Sequence, residues 1–159
     1  SDPIIFIENK RTVNIKGEVP EKYYSIPFGK AEIRKEGSDL TIVATQALAY
    51  DALKVAGDME KEGVSIEVID PRTLKPLDKE TIFKSVEKTG RLIIADEGWL
   101  KCGMASEISA IVAEERMDYL DAPIIRVGAG DTPCPFSPPL EDAYIPGEQH
   151  IREAIKKIS

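Results

Sequence analysis

Leu40-Thr41-Ile42-Val43-Ala44 is an apolar run broken by one polar residue, and together with residues 45–69 it decides the fold. Apolar residues recur at Leu48, Ala52, Val55, Ala56 and Met59, the spacing of one helix face. Thr45 stands where a helix N-cap is expected, and Gly63 where the helix stops. Val64 to Ile69 is then a second short apolar run. Strand, helix and strand in that order make a βαβ unit, which lays its two strands parallel in one sheet.

The alternation continues toward the C-terminus. Asp78 can cap a second helix carrying Ile82, Phe83 and Val86 and ended by Gly90. Arg91 to Ala95 reads as a third strand, and a helix from about Met104 to Met117 presents Ile108, Ile111 and Val112 on one face. Ile124-Ile125-Arg126-Val127 is a fourth strand, followed by a Pro-rich loop over 131–146. A last helix places Ile151, Ala154, Ile155 and Ile158 at i, i+3, i+4 and i+7. Strands this uniformly apolar are buried on both faces, so the pattern predicts a mainly parallel sheet between two helical layers, a three-layer α/β/α domain over 40–159.

Toward the N-terminus the pattern fades. Residues 4–7 read as a short β-branched strand. Residues 8–40 hold Gly17, Pro20, Pro27, Gly29 and Gly37 among many charges and show no period, so 11–39 reads as a linker with small pieces of strand. It is too long for the inside of a compact domain and is expected to wrap over a neighbouring one. The opening on Pro3-Ile4-Ile5-Phe6-Ile7 is neither a signal peptide nor a start methionine, and reads as a fragment of a longer chain.

A net charge of −7 disfavours nucleic acid, which demands clustered Lys and Arg, but suits a basic protein partner. No apolar run approaches the ~18 residues of a membrane span. Cys102 and Cys134 have neither C-x-x-C spacing nor a histidine pattern, so neither a zinc site nor a redox dithiol is signalled. Two thiols fit a reducing compartment: the cytoplasm, or the mitochondrial matrix in a eukaryote.

Ligands of an open α/β sheet bind at the carboxyl ends of its strands. After the first strand, Thr45-Gln46-Ala47-Leu48 has no Gly-x-Gly, no Walker lysine and no acidic pair, which disfavours dinucleotide, P-loop and receiver chemistry. After the second, Arg72 and Lys75 allow an anion site, against the preferred reading of a structural turn built on Arg72, Pro76 and Asp78, with Arg72 pairing to Asp70 or Glu97. After the third, Asp96 and Glu97 are adjacent carboxylates, and Trp99 stands among glycines. Glu97, Gly98, Trp99 and Leu100 read first as a subunit interface, with core packing and a small-molecule site as alternatives. After the fourth, Gly128-Ala129-Gly130-Asp131 could cradle a phosphate, but no helix comes directly after it. His150 reads as a surface residue. No Ser/His/Asp or Cys/His constellation assembles.

Taken in order, these loops resemble one family. Ile26-Pro27-Phe28-Gly29-Lys30-Ala31, Glu67 through Asp78 (Glu-Val-Ile-Asp-Pro-Arg-Thr-Leu-Lys-Pro-Leu-Asp), Lys88-Thr89-Gly90-Arg91-Leu92 and Glu97-Gly98-Trp99 carry the match. Asp118-Tyr119-Leu120-Asp121-Ala122-Pro123, Asp131-Thr132-Pro133-Cys134-Pro135-Phe136, Leu140-Glu141-Asp142 and Ile145-Pro146 complete it. The chain is similar to the β subunit of the decarboxylating first component of pyruvate and branched-chain 2-oxo acid dehydrogenase complexes and of acetoin dehydrogenase. The resemblance implies the transketolase carboxyl-terminal fold, with five mostly parallel strands and one antiparallel strand. It implies that residues 1–10 are the exit strand of a missing pyrimidine-binding domain.

The parent enzyme implied is an oxidoreductase using thiamine diphosphate and Mg. Here the Gly-Asp-Gly motif with its paired Asn is missing, and Ala56-Gly57-Asp58-Met59 lies inside a helix. No catalytic, cofactor-binding or metal residue carries over. The implied role is assembly with an α subunit and a second β subunit, and docking of the basic peripheral-subunit-binding domain of the acyltransferase at Asp118 and Asp121, with the chain's final carboxylate at Ser159 as a further contributor if it is near the native end. The alternatives are an acetoin dehydrogenase or transketolase-type subunit domain, an autonomous small-molecule-binding module, and, for Asp118 and Asp121, simple solvation of a turn.

Overall fold

The computed structural model describes residues 3–158. One sheet holds β1 (Glu32–Lys35), β2 (Leu40–Ala44), β3 (Ile66–Asp70), β4 (Leu92–Trp99) and β5 (Ile125–Ala129). The helices are α1 (Gln46–Lys61), α2 (Lys79–Thr89), α3 (Met104–Arg116), α4 (Pro138–Tyr144) and α5 (Glu148–Lys156). The strand order is β1-β3-β2-β4-β5, with β1 antiparallel to β3 and every other pair parallel. The chain leaves β2 for β3 on one side, then crosses to β4 on the other. That reversal opens a crevice at the carboxyl ends of β2 and β4.

The strands alternate with period two between two buried layers. Leu40, Ile42, Ala44, Ile66, Val68, Ile93 and Ala95 pack with Leu48, Ala52 and Val55 of α1 and Ile151 and Ile155 of α5. Val43, Ile69, Leu92 and Ile94 face the other way, onto Ile82, Phe83 and Val86 of α2 and Ile108 and Val112 of α3. Each Val, Leu, Ile or Phe side chain so taken from water contributes about 1.5–3 kcal/mol. The polar exceptions, Thr41 and Glu67, both meet α2. Thr41 Oγ1 lies 2.6 Å from Ser85 Oγ and 2.7 Å from Thr89 Oγ1. The Lys88 ammonium pairs with the Glu67 carboxylate, which is 1% exposed. These polar groups thus have the partners that burial demands.

Helix ends obey local chemistry. The Asp78 carboxylate accepts from the Thr81 amide at 3.3 Å, and Gly90 ends α2 in the left-handed region at φ 66°. Thr45, expected to cap α1 with its side chain, does not. Its hydroxyl instead donates to Asp96 Oδ1 at 2.7 Å, because the end of β4 lies beside it and a carboxylate is the stronger acceptor.

Elsewhere the structure adds to the expected pattern or departs from it. Residues 4–7 form no strand; their side chains are 84–89% exposed, and β-branching makes no ladder without a partner. Within 11–39, read as a linker with small pieces of strand, β1 is one such piece; it forms the antiparallel edge, so the sheet begins before residue 40. The third strand runs on to Trp99 because Trp99 pairs with Ala129. The Pro-rich loop contains α4, started by Pro138 where a missing N–H costs nothing.

Candidate functional site

The switch-point crevice is lined by Thr45 and Gln46, which follow β2, and by Asp96 and Glu97 of β4. Gln46 holds φ 50°, uncommon for a side chain other than glycine. The amide of Asn9 donates to Gln46 Oε1 at 2.6 Å and to Glu97 Oε2 at 2.8 Å. Arg11 donates to Glu97 Oε1 at 3.3 Å and lies 4.0 Å from Asp51. Burial pushes the Asp51 carboxyl above its ordinary value, with Arg11 opposing. Beside the crevice, Thr45, Gln46, Asp70, Pro71, Arg72 and Asp96 enclose about 120 Å³. Among the described residues no group of three or more His, Cys, Asp or Glu could hold a metal ion.

The turn after β3 grips the segment entering β1. Arg72 donates from Nε to the Lys30 carbonyl at 3.0 Å and from Nη2 to the Ala31 carbonyl at 3.3 Å. Its ion-pair contact is Glu32 at 3.9 Å, whereas Asp70 is taken by Arg34 at 3.6 Å. The expected pairing of Arg72 with the Asp70 or Glu97 side chain through its guanidinium is therefore not formed; β1, lying next to β3, supplies the partners. Gly29 donates to Thr73 Oγ1 at 2.9 Å, and a Cβ on Gly29 would come within 2.9 Å of Pro76 Cγ. Asp78 also accepts from the Ala31 amide at 3.0 Å. Burial alone would raise the Asp78 pKa, but the Ala31 and Thr81 donors hold it below the usual carboxylate range. Burial does push Asp70 up.

At the end of β4 the residues expected at an interface divide. Glu97 turns toward Asn9 and Arg11. Gly98 is exposed, and its carbonyl would lie 2.9 Å from a Cβ on Gly128, so the strands need glycine there. Leu100 points inward enough to meet Gly128, and its carbonyl accepts from Arg126 at 2.6 Å and Ser106 at 2.9 Å. Trp99 remains 52% exposed. Its indole N–H donates to Tyr144 and to the Thr132 carbonyl. Phe136 and Leu140, from the neighbouring Pro-rich segment, are 100% and 60% exposed.

Asp118 lies in a 3-10 turn, Met117–Tyr119, and Asp121 just beyond it, both exposed. The Asp121 amide donates to the Gly90 carbonyl at 2.8 Å, and a Cβ on Gly90 would lie 2.3 Å from Asp121 Oδ2. The Asp121 carboxylate thus rests at the carboxyl end of α2, the negative pole of that helix. Beside it a groove of about 740 Å³ runs between α3 and residues 120–126, floored by Ala110, Ala113, Met117, Leu120 and Pro123. His150 accepts from the Gly147 amide at 3.2 Å at the start of α5, and Cys102 and Cys134 are free and exposed. Ser159 lies outside the described residues.

The sequence reading missed Asn9, Arg11 and Gln46, and nothing local marks them, since their contacts join residues 37 and 88 positions apart. Gly90 reads from sequence only as a helix stop; its tight contact with Asp121 needs the tertiary fold.

Comparison with known proteins matches residues 29–151 to the family described as transketolase, C-terminal domain. The acetoin:2,6-dichlorophenolindophenol oxidoreductase subunit beta of Bacillus subtilis (strain 168) is 51% identical over 151 residues, covering 95% of this chain and 44% of that protein. The pyruvate dehydrogenase E1 component subunit beta of Rickettsia felis is 45% identical over 157 residues, covering 99% and 48%. This chain therefore spans about half the length of these relatives. A solved split-gene transketolase, an inactive beta4 tetramer, superposes with a TM-score of 0.74 at 30% identity over 89% of this chain and 45% of that one. The matched residues contain the whole sheet, including its antiparallel edge strand, and by this match the chain belongs to the transketolase C-terminal domain family.

Proposed function

We propose that this chain is the carboxyl-terminal domain of the β subunit of a thiamine-diphosphate-dependent 2-oxo acid dehydrogenase, and that it serves assembly and docking rather than chemistry. The parent enzyme decarboxylates a 2-oxo acid oxidatively and passes the product to a lipoyl group. The relatives named as β subunits of pyruvate and acetoin oxidoreductases support this reading. The acetoin oxidoreductase relative supports an alternative in which the parent acts on acetoin, a hydroxyketone, instead of a 2-oxo acid.

The described residues do not fit thiamine diphosphate or its Mg. The cavity beside the crevice is about 120 Å³, whereas small-molecule sites occupy ~300–1,000 Å³, and the larger groove along α3 has an apolar floor away from the strand ends. No step of the reaction is assigned to this domain. In the parent, an α subunit and the first domain of the β subunit would build that site, with residues 1–10 as the exit strand of that domain. The exposed Ile4, Ile5, Phe6 and Ile7 suit such pairing, while Ser1 and Asp2 lie outside the described residues.

The observation that carries the docking reading is the position of Asp121. An anion at the negative pole of α2, with no ion pair to it among the described residues, is a place where an incoming cation gains most. Asp118, three residues earlier, adds a second charge, and the apolar groove alongside supplies area for burial. The partner is the basic peripheral-subunit-binding domain of the acyltransferase. Gly98 and Trp99, with the exposed Phe136, offer a separate face for another subunit.

Calorimetric titration of the chain with that basic domain, and separately with thiamine diphosphate plus Mg, tests the proposal. Binding of the basic domain that weakens as salt rises is expected, with no heat from the coenzyme. Tight coenzyme binding to the isolated chain would overturn it.

A further inference from the structure

We propose that residues 9–15 form a strap latched across the switch-point crevice, with Glu97 as its catch. The strap has its own internal order. Thr12 N–H donates to the Asn9 carbonyl and Ile15 N–H to the Thr12 carbonyl, each at 3.0 Å. The Arg11 amide donates to Asn9 Oδ1 at 2.9 Å and the Thr12 hydroxyl to the Asn9 carbonyl at 2.8 Å. These bonds turn the Asn9 amide group and the Arg11 guanidinium toward the sheet.

The contacts then bridge the two strands that define the crevice. One Asn9 amide group donates both to Gln46, just after β2, and to Glu97, within β4. Arg11 adds a second donor to Glu97. Under this bridge lies the hydrogen bond between Thr45 and Asp96. Gln46 is held with a left-handed backbone at the point the strap touches, and such conformations persist where the surroundings fix them. The place covered is the one where open α/β sheets admit ligands, so the strap closes the domain's own ligand position.

The latch is built to open. Its tertiary bonds to Gln46, Asp51 and Glu97 are polar and lie near solvent, and no apolar side chain of residues 9–15 is buried. Segments held this way open locally at low cost while the core stays folded. The next anchor on the same segment is the grip of Arg72, Thr73 and Asp78 on residues 29–31, so residues 16–28 form an exposed span between two attachment points. Release at Glu97 frees the strap and uncovers Asp51 and Glu97, whose side chains are 22% exposed, while the span beyond it is exposed throughout. This inference does not depend on the identity of the parent enzyme.

Limited trypsin digestion of the full chain tests it, because Lys10 and Arg11 lie in the strap and Lys22 lies in the exposed span. Cleavage after Lys10 and Arg11 is expected to be about tenfold slower than after Lys22, tracking the small open population of the strap. Glu97→Ala and, separately, Asn9→Ala should erase that difference while leaving the Lys22 rate unchanged. Asn9 lies outside the sheet, so its variant keeps the test decisive should Glu97→Ala disturb the fold. Equal rates at all three sites in the unaltered chain, or protection that survives both substitutions, would overturn the proposal.

Discussion

The indole nitrogen of Trp99 donates to the hydroxyl of Tyr144 at 2.6 Å, and that hydroxyl donates in turn to the Thr132 carbonyl at 2.9 Å. The end of β4 is thereby tied to α4 through the Pro-rich segment, while the Trp99 ring stays about half exposed. An exposed aromatic fixed in place by its polar edge loses little freedom when a partner covers its face, which is what a contact residue needs.

Tyr144→Phe removes the nearer of the indole's two acceptors, leaving the Thr132 carbonyl at 3.2 Å, without changing the ring's volume. The expected loss is about 0.5–1.5 kcal/mol of stability, read by urea denaturation. Trp99 is the chain's one tryptophan, so its emission should also shift in the native baseline. A variant with unchanged stability and unchanged emission would contradict the tie.

Gly90→Ala places a methyl group against the Asp121 carboxylate and forces a left-handed backbone on alanine. We expect a destabilisation of about 1–3 kcal/mol, together with weaker binding of the basic docking domain, because Asp121 must move. Asp121→Ala in the same background should recover part of the stability, and a double-mutant cycle measures that coupling.

Burial pushes the Glu67 carboxyl up, but hydrogen bonds from Lys88 and Ser85 more than offset this and hold it below the ordinary carboxylate value. A depressed folded pKa means stability that is present above the unfolded value, ~4.3 for Glu, and is lost as pH falls through the folded value. Glu67→Gln should therefore cost about 1–3 kcal/mol near neutrality. Its deficit relative to the unaltered chain should shrink as pH falls below about 4. Urea midpoints between pH 7 and pH 3 check this, and a deficit that widens on acidification would refute it.

Ile93 sits in the central strand pair at 0% exposure, against the α1 and α5 layer. Ile93→Ala should cost about 2–5 kcal/mol, enough to threaten folding of the chain, with thermal unfolding as the measurement.

The sheet was legible because Leu40–Ala44, Val64–Ile69 and Arg91–Ala95 are covered on both faces and so are mainly apolar, with Thr41 and Glu67 the buried polar exceptions. α1, α2, α3 and α5 were legible from one-sided apolar spacing. β1 was not, because Glu32-Ile33-Arg34-Lys35 is a half-exposed edge whose identity depends on β3 beside it. Ile4–Ile7 show the converse: β-branched residues promise a strand, and no described strand is there to pair with them. At the site, Trp99, Asp118 and Asp121 stood out as residue types, but the partners of Arg72, Thr45 and Glu97 are set by which strands become neighbours. No local pattern reports that.

The central claim is that Asp121 docks a cationic partner, and charge reversal tests it most directly. Calorimetry of Asp121→Lys against the basic peripheral-subunit-binding domain, at low and at moderate salt, should show affinity reduced more than about tenfold and a flatter salt dependence. Affinity and salt dependence equal to those of the unaltered chain would contradict the account.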